Sequence, residues 1–204
     1  MPPRSAARKS RHVTQCNMSA PVPHSGTPGA LPLTGNPCQH PPMLTRRPHE
    51  AGHKRKFLVV VDDTPECDRA LIYAARRAER TNGALVMLFV IDDQDFRGFI
   101  GVEQMMRAEA REAADLTLAK VADRIRTVAR IEPEMVVREG VRAAEVVGLI
   151  EKDEDIAILV LAAGTGSDGP GPLVTALTGR LGSFPVPITI VPGTLSDEEI
   201  AAIA

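Results

Sequence analysis

Short apolar runs recur along this chain, each followed by a segment of helical period. Phe57 to Val61 reads FLVVV, Ala84 to Ile91 reads ALVMLFVI, and Ile156 to Ala162 and Val186 to Val191 are nearly as apolar. A shorter run, Glu134 to Arg138, falls between the second and the fourth. Strands apolar on both sides are buried on both faces, which points to a parallel sheet with helices above and below it. Right-handed crossovers then wind the chain both ways from the middle. The expected fold is therefore α/β: a doubly wound, five-stranded parallel sheet.

The intervening segments support this. Thr64-Pro65-Glu66 has the composition of a helix start, with a capping Thr, Pro at the first helical position and an acid in the first turn. Leu71, Ala74, Ala75 and Ala78 recur at helical spacing, and Asn82-Gly83 stops that helix. From about Gly101 to Arg130, the stripe Leu118, Val121, Ala122, Ile125 and Val128 marks one buried helix face. Ala143, Val146, Val147 and Ile150 form a third such face, and a helix is expected from about Pro172 to Leu181.

The chain divides by composition. Residues 1–55 hold 10 of the 17 prolines, all five histidines, eight Lys/Arg and one acid, whereas Lys56 to Ala204 holds 16 Lys/Arg against 25 Asp/Glu. The tail lacks apolar periodicity and cannot offset its ordering entropy by burial, so it is expected to be disordered. It is an unstructured extension, a start set ahead of Met18 or Met43, or a basic arm for nucleic acid or membrane. No continuous apolar stretch follows its basic start, which argues against a secretory signal. The expected organisation is a tail over 1–55, one domain over 56–193 and a short C-terminal segment over 194–204.

Much chemistry is excluded by what the body lacks. It has no histidine, so a Ser-His-Asp or Cys-His arrangement has no base within it. Cys16, Cys38 and Cys67 show no metal or disulfide spacing, as expected of a reducing cytoplasm. No run of about 18 apolar residues occurs, so no membrane span is expected. Strong catalysis is not expected.

The loop after the fourth apolar run is the main candidate for ligand chemistry. Gly164, Gly166, Gly169 and Gly171 precede the helix expected at Pro172. Backbone N–H groups in such a loop face an anion, or the glycines merely turn the chain. The string G-x-G-x-x-G signals a dinucleotide only after a first strand, and a phosphate loop of the Gly-Lys-Ser/Thr kind needs a lysine that is absent here. Asp62-Asp63, with the strand before it, resembles the start of a response-regulator receiver domain. The Asp after strand three and the Lys after strand five that a receiver needs are both missing.

Over Phe57 to Pro192 the chain resembles the universal stress protein family. FLVVVDDTPECDRAL (Phe57 to Leu71) is similar to that family's first strand and helix start. LVMLFVID (Leu85 to Asp92) is similar to its second strand, REGVRAAEV (Arg138 to Val146) to the turn before its third helix, and Glu154 to Ala162 to its fourth strand. The resemblance implies strand order 3-2-1-4-5 and an adenine nucleotide such as ATP; with few cations near the loop, its phosphates would rely on N–H groups, the helix dipole and Mg²⁺ held with Asp168 or Asp62-Asp63. It implies Asp62, with Val61, Asp63 and Thr64 around it, near the adenosine, and the backbone of Val90 at the end of strand two. Ala162, Gly164, Gly166, Gly169, Gly171 and Thr175 would hold ribose and phosphates. Gly166, Gly169 and Gly179 fit the family's glycine spacing, but Arg180 stands where it has Ser or Thr; counted back from strand five, Val174-Thr175 takes that place. The resemblance also implies a homodimer through strand 186–191, where Pro185 and Pro187 suit an edge, and a cytoplasmic stress-response binding module with little or no turnover. The alternative is the same fold with a degenerate pocket, acting as a dimeric interaction protein.

Overall fold

The computed structural model describes residues 45–96, 101–166, 169–179, 182 and 184–204. Five strands form one parallel sheet: β1 (Lys56–Val61), β2 (Ala84–Ile91), β3 (Glu134–Glu139), β4 (Ile156–Ala163) and β5 (Ile188–Pro192). The order across the sheet is β3-β2-β1-β4-β5. The helices are α1 (Cys67–Arg80), α2 (Glu103–Ala129), α3 (Arg142–Lys152), α4 (Pro172–Thr178) and α5 (Asp197–Ile203).

Alternation along the strands divides the core in two. Phe57, Val59, Val61, Leu85, Met87 and Val160 face one way and pack with α1 and α2. Leu58, Val60, Val86, Leu88, Leu159 and Leu161 face the other way and pack with α3 and α4. Ala74, Ala75 and Ala78 have no exposed surface, and their small side chains let α1 lie close on the sheet. The predicted stripe on α2 holds: Leu118, Ala122 and Ile125 are buried, with Val121 packed beside them.

Two expectations at the element ends are corrected. Helix α1 begins at Cys67, not at the predicted Thr64 cap, because the Thr64 hydroxyl is drawn to Asp62. Helix α4 stops at Thr178, with Gly179 as its C-cap. The C-terminal segment holds α5, which opens on a capping box between Ser196 and Glu199 and packs Ile200 against Ile72 of α1.

The expected tail lies outside the described residues except for 45–55, and these run along the body. The Arg46 guanidinium donates to the carbonyls of Ile150 and Asp153 at 2.6 and 2.7 Å, satisfying the C-terminal end of α3. His53 Nδ1 lies 2.6 Å from Asp155 Oδ1.

Candidate functional site

Strand order reverses between β1 and β4, so the chain leaves their carboxyl ends in opposite directions and opens a crevice. Two adjoining hollows lie there. The inner one, about 100 Å³, has Val60, Leu161, Leu173 and Val174 as apolar surface and Asp62, Thr64 and Arg142 as polar surface. The outer one, about 670 Å³ and open, is walled by Gly164, Gly166, Gly169, Gly171, Thr175 and Glu66.

The β1 side is tied down by its own side chains. Asp62 Oδ1 accepts from the Thr64 N–H at 3.0 Å and from the Thr64 hydroxyl at 2.5 Å, a turn closed by the aspartate itself. The carboxylate also faces the Cys67 thiol. The Asp62 N–H is directed at Cys67 Sγ, and the thiol at the Val60 carbonyl, each at 3.5 Å. Burial pushes the Cys67 thiol up to about 12; the Asp62 N–H opposes this, while the Asp62 and Asp68 charges add to it. At neutral pH the thiol is a packing group and not a nucleophile.

The β4 side is built from glycine and a short helix. Gly169 and Gly171 have φ of 92° and 99°, where a side chain would be strained. The Gly164 N–H donates to the Pro170 carbonyl at 3.3 Å and pinches the loop shut behind them. Pro172 opens α4 and removes one N–H that the expected anion cradle would use. The Thr175 hydroxyl donates to the Gly171 carbonyl at 2.9 Å, leaving its oxygen as an acceptor.

Of the residues expected to bind, Asp62, Thr64, Ala162 and Gly171 line the inner hollow, and Gly164, Gly166, Gly169, Gly171 and Thr175 the outer one. Val61 and Val90 are buried in the core, Asp63 is exposed, and none of the three lines either hollow. Gly179 sits at the far end of α4 and lines neither, whereas Thr175 lines the outer one. Asp168 and Arg180 lie outside the described residues.

Two charged residues at the crevice escaped the sequence reading. Arg142 opens α3 and reaches the inner hollow, exposed and without a partner among the described residues. Glu66 precedes α1 and lines both hollows. Both lie in segments that mark helix starts and not in a ligand motif; the return of α3 and α1 to the same sheet edge brings them to the site. Among the described residues no cluster of His, Cys, Asp and Glu could hold a metal ion, and no helix is long and apolar enough to cross a membrane.

Solved structures share this architecture. A universal stress protein from Lactobacillus plantarum is 18% identical, with a TM-score of 0.56 over 68% of this chain and 97% of its own. One from Burkholderia pseudomallei is 18% identical, with a TM-score of 0.54 over 68% and 96%. A universal stress protein in complex with cAMP is 16% identical, with a TM-score of 0.52 over 69% and 98%. At these identities the likeness is one of fold. Comparison with curated proteins finds no match. The family model for universal stress proteins matches residues 54–191, more than half of the sequence, from just before β1 into β5. The chain belongs to the universal stress protein family.

Proposed function

We propose that this protein is a cytoplasmic adenine-nucleotide binding module of the stress response that binds its ligand without turning it over. One observation carries the reading. Asp62 presents its carboxylate to an apolar hollow lined also by Ala162 and Gly171, at the sheet's switch point. A flat base or sugar ring fits between Val60, Leu161 and Leu173, and the aspartate oxygen accepts from a hydroxyl or amino group. The solved relative with cAMP gives one precedent for an adenine ligand on this fold. Binding without turnover agrees with the protonated Cys67 thiol and with a body that holds no histidine.

Calorimetry with ATP, AMP and cAMP tests this. The expected result is saturable heat for at least one of them, weakened about tenfold or more by Asp62→Ala through loss of a charge-assisted hydrogen bond. Folded protein giving no heat with any of the three would sink it.

A second reading has its own support. The inner hollow, about 100 Å³, is smaller than the roughly 300–1,000 Å³ of common ligand sites. In that reading the pocket is degenerate and the protein works through its surface. Both readings share a homodimer through β5. That strand pairs only with β4 among the described residues, Ile190 on it is exposed, and its outer N–H groups can pair with a second copy. A monomeric mass in light scattering at tens of micromolar would refute the dimer.

A further inference from the structure

The two hollows share one charged wall. Glu66 is the residue before the first turn of α1, where a shorter side chain such as Asp or Ser would fold back and cap the helix. Glu66 makes no such bond. It projects instead over the loop after β4: a Cβ placed on Gly164 would lie 3.2 Å from Glu66 Oε1 and 3.2 Å from the Gly169 carbonyl oxygen. The root of the side chain is hemmed in from behind, where a Cβ placed on Gly193 would come within 2.8 Å of the Glu66 Cβ. The half-buried carboxylate thus stands in the passage between the hollows, with no hydrogen bond or ion pair to any described residue.

The charges around it are unevenly placed. Arg142 lines the inner hollow and the groove beyond it. The described lining of the outer hollow contains no cation, and its one charged residue is Glu66. A base seated in the inner hollow leaves the rest of the nucleotide to extend outward. Phosphates that run past Glu66 into the outer hollow, along the glycine loop, bring negative charge to a carboxylate.

We propose, on the reading that this crevice takes an adenine nucleotide, that Glu66 is a specificity-determining residue which selects nucleotides bearing a single phosphate and disfavours triphosphates. The opposite role would need Glu66 to hold a divalent cation under a triphosphate. Glu66 has no set of further carboxylates, histidines or cysteines near it that could complete such a site among the described residues. One oxygen of Asp62, the other carboxylate lining the inner hollow, is already engaged by Thr64.

The test is calorimetry with AMP and ATP, each with and without Mg²⁺, on the full chain and on Glu66→Gln and Glu66→Asp, with melting curves to establish that each is folded. The original protein is expected to bind AMP tighter than ATP. Glu66→Gln should narrow that ratio on the order of tenfold, the scale of one partly screened like-charge contact, chiefly by tightening ATP. Glu66→Asp, with its carboxylate one methylene further back, should fall between. An unchanged AMP-to-ATP ratio in folded Glu66→Gln would overturn the role of Glu66 and leave the nucleotide reading intact. ATP binding that Mg²⁺ strengthens in the original protein and not in Glu66→Gln would make Glu66 a metal ligand and overturn the exclusion. No binding of either nucleotide to any of the three proteins would overturn the role of Glu66, and an equal failure of cAMP would overturn the nucleotide reading with it.

Discussion

The two walls of the crevice are made differently. The β1–α1 wall stands on a buried, alanine-lined helix and a turn that Asp62 and Thr64 close on themselves. The β4–α4 wall is a glycine loop followed by a helix of seven residues. One wall is fixed by packing and side-chain hydrogen bonds, the other by backbone angles that few residues adopt. A binding site assembled this way has a rigid side that recognises and a thin side that comes close.

The largest effect concerns the sulfur within the rigid wall. With its thiol pushed up to about 12 by burial, Cys67 should react with a thiol reagent at pH 8 on the order of a thousandfold more slowly than an unperturbed cysteine. The sign for stability follows from the same shift. The folded state favours the neutral thiol, so this contribution is full below the ordinary thiol value, near 9.0, and is lost as pH rises from there toward 12. Rapid labelling of the native protein would show that the wall opens.

Truncation of the two helices comes next. Leu71 on α1 packs into the cluster that α2 also covers, whereas Leu177 lies on the short α4. Leu71→Ala should cost about 3–4 kcal/mol in denaturant unfolding, and Leu177→Ala nearer 2 kcal/mol, since a two-turn helix relaxes into the space. Equal losses would erase the asymmetry. Smaller again, Gly171→Ala should cost about 1–2 kcal/mol, because φ of 99° forces the new side chain into strain. A neutral substitution there would mean that the loop readily takes another path.

The β-α alternation was legible in sequence because its strands are apolar on both faces and its helices carry clear stripes; β2 lies at the predicted residues. The ends of elements were less so. Thr64 reads as a helix cap, yet Asp62, two residues earlier, offers its hydroxyl a closer acceptor, and local composition does not rank such rivals. Helix α5 went unread because its apolar contact, Ile200 on Ile72, spans the whole domain and leaves only a seven-residue pattern behind. At the site, the residues on β1 and the glycine loop were visible as motifs. Glu66 and Arg142 were not, since each is an ordinary surface charge until the fold brings it to the crevice.

The central claim is that a nucleotide enters between Asp62 and the glycine loop. The most direct measurement is a backbone amide NMR titration of the folded protein with AMP. The account predicts shifts that saturate together and centre on Asp62, Thr64, Ala162, Gly164 and Gly171, with α2 and β3 unmoved. Shifts that centre elsewhere, or none at millimolar AMP, would contradict it.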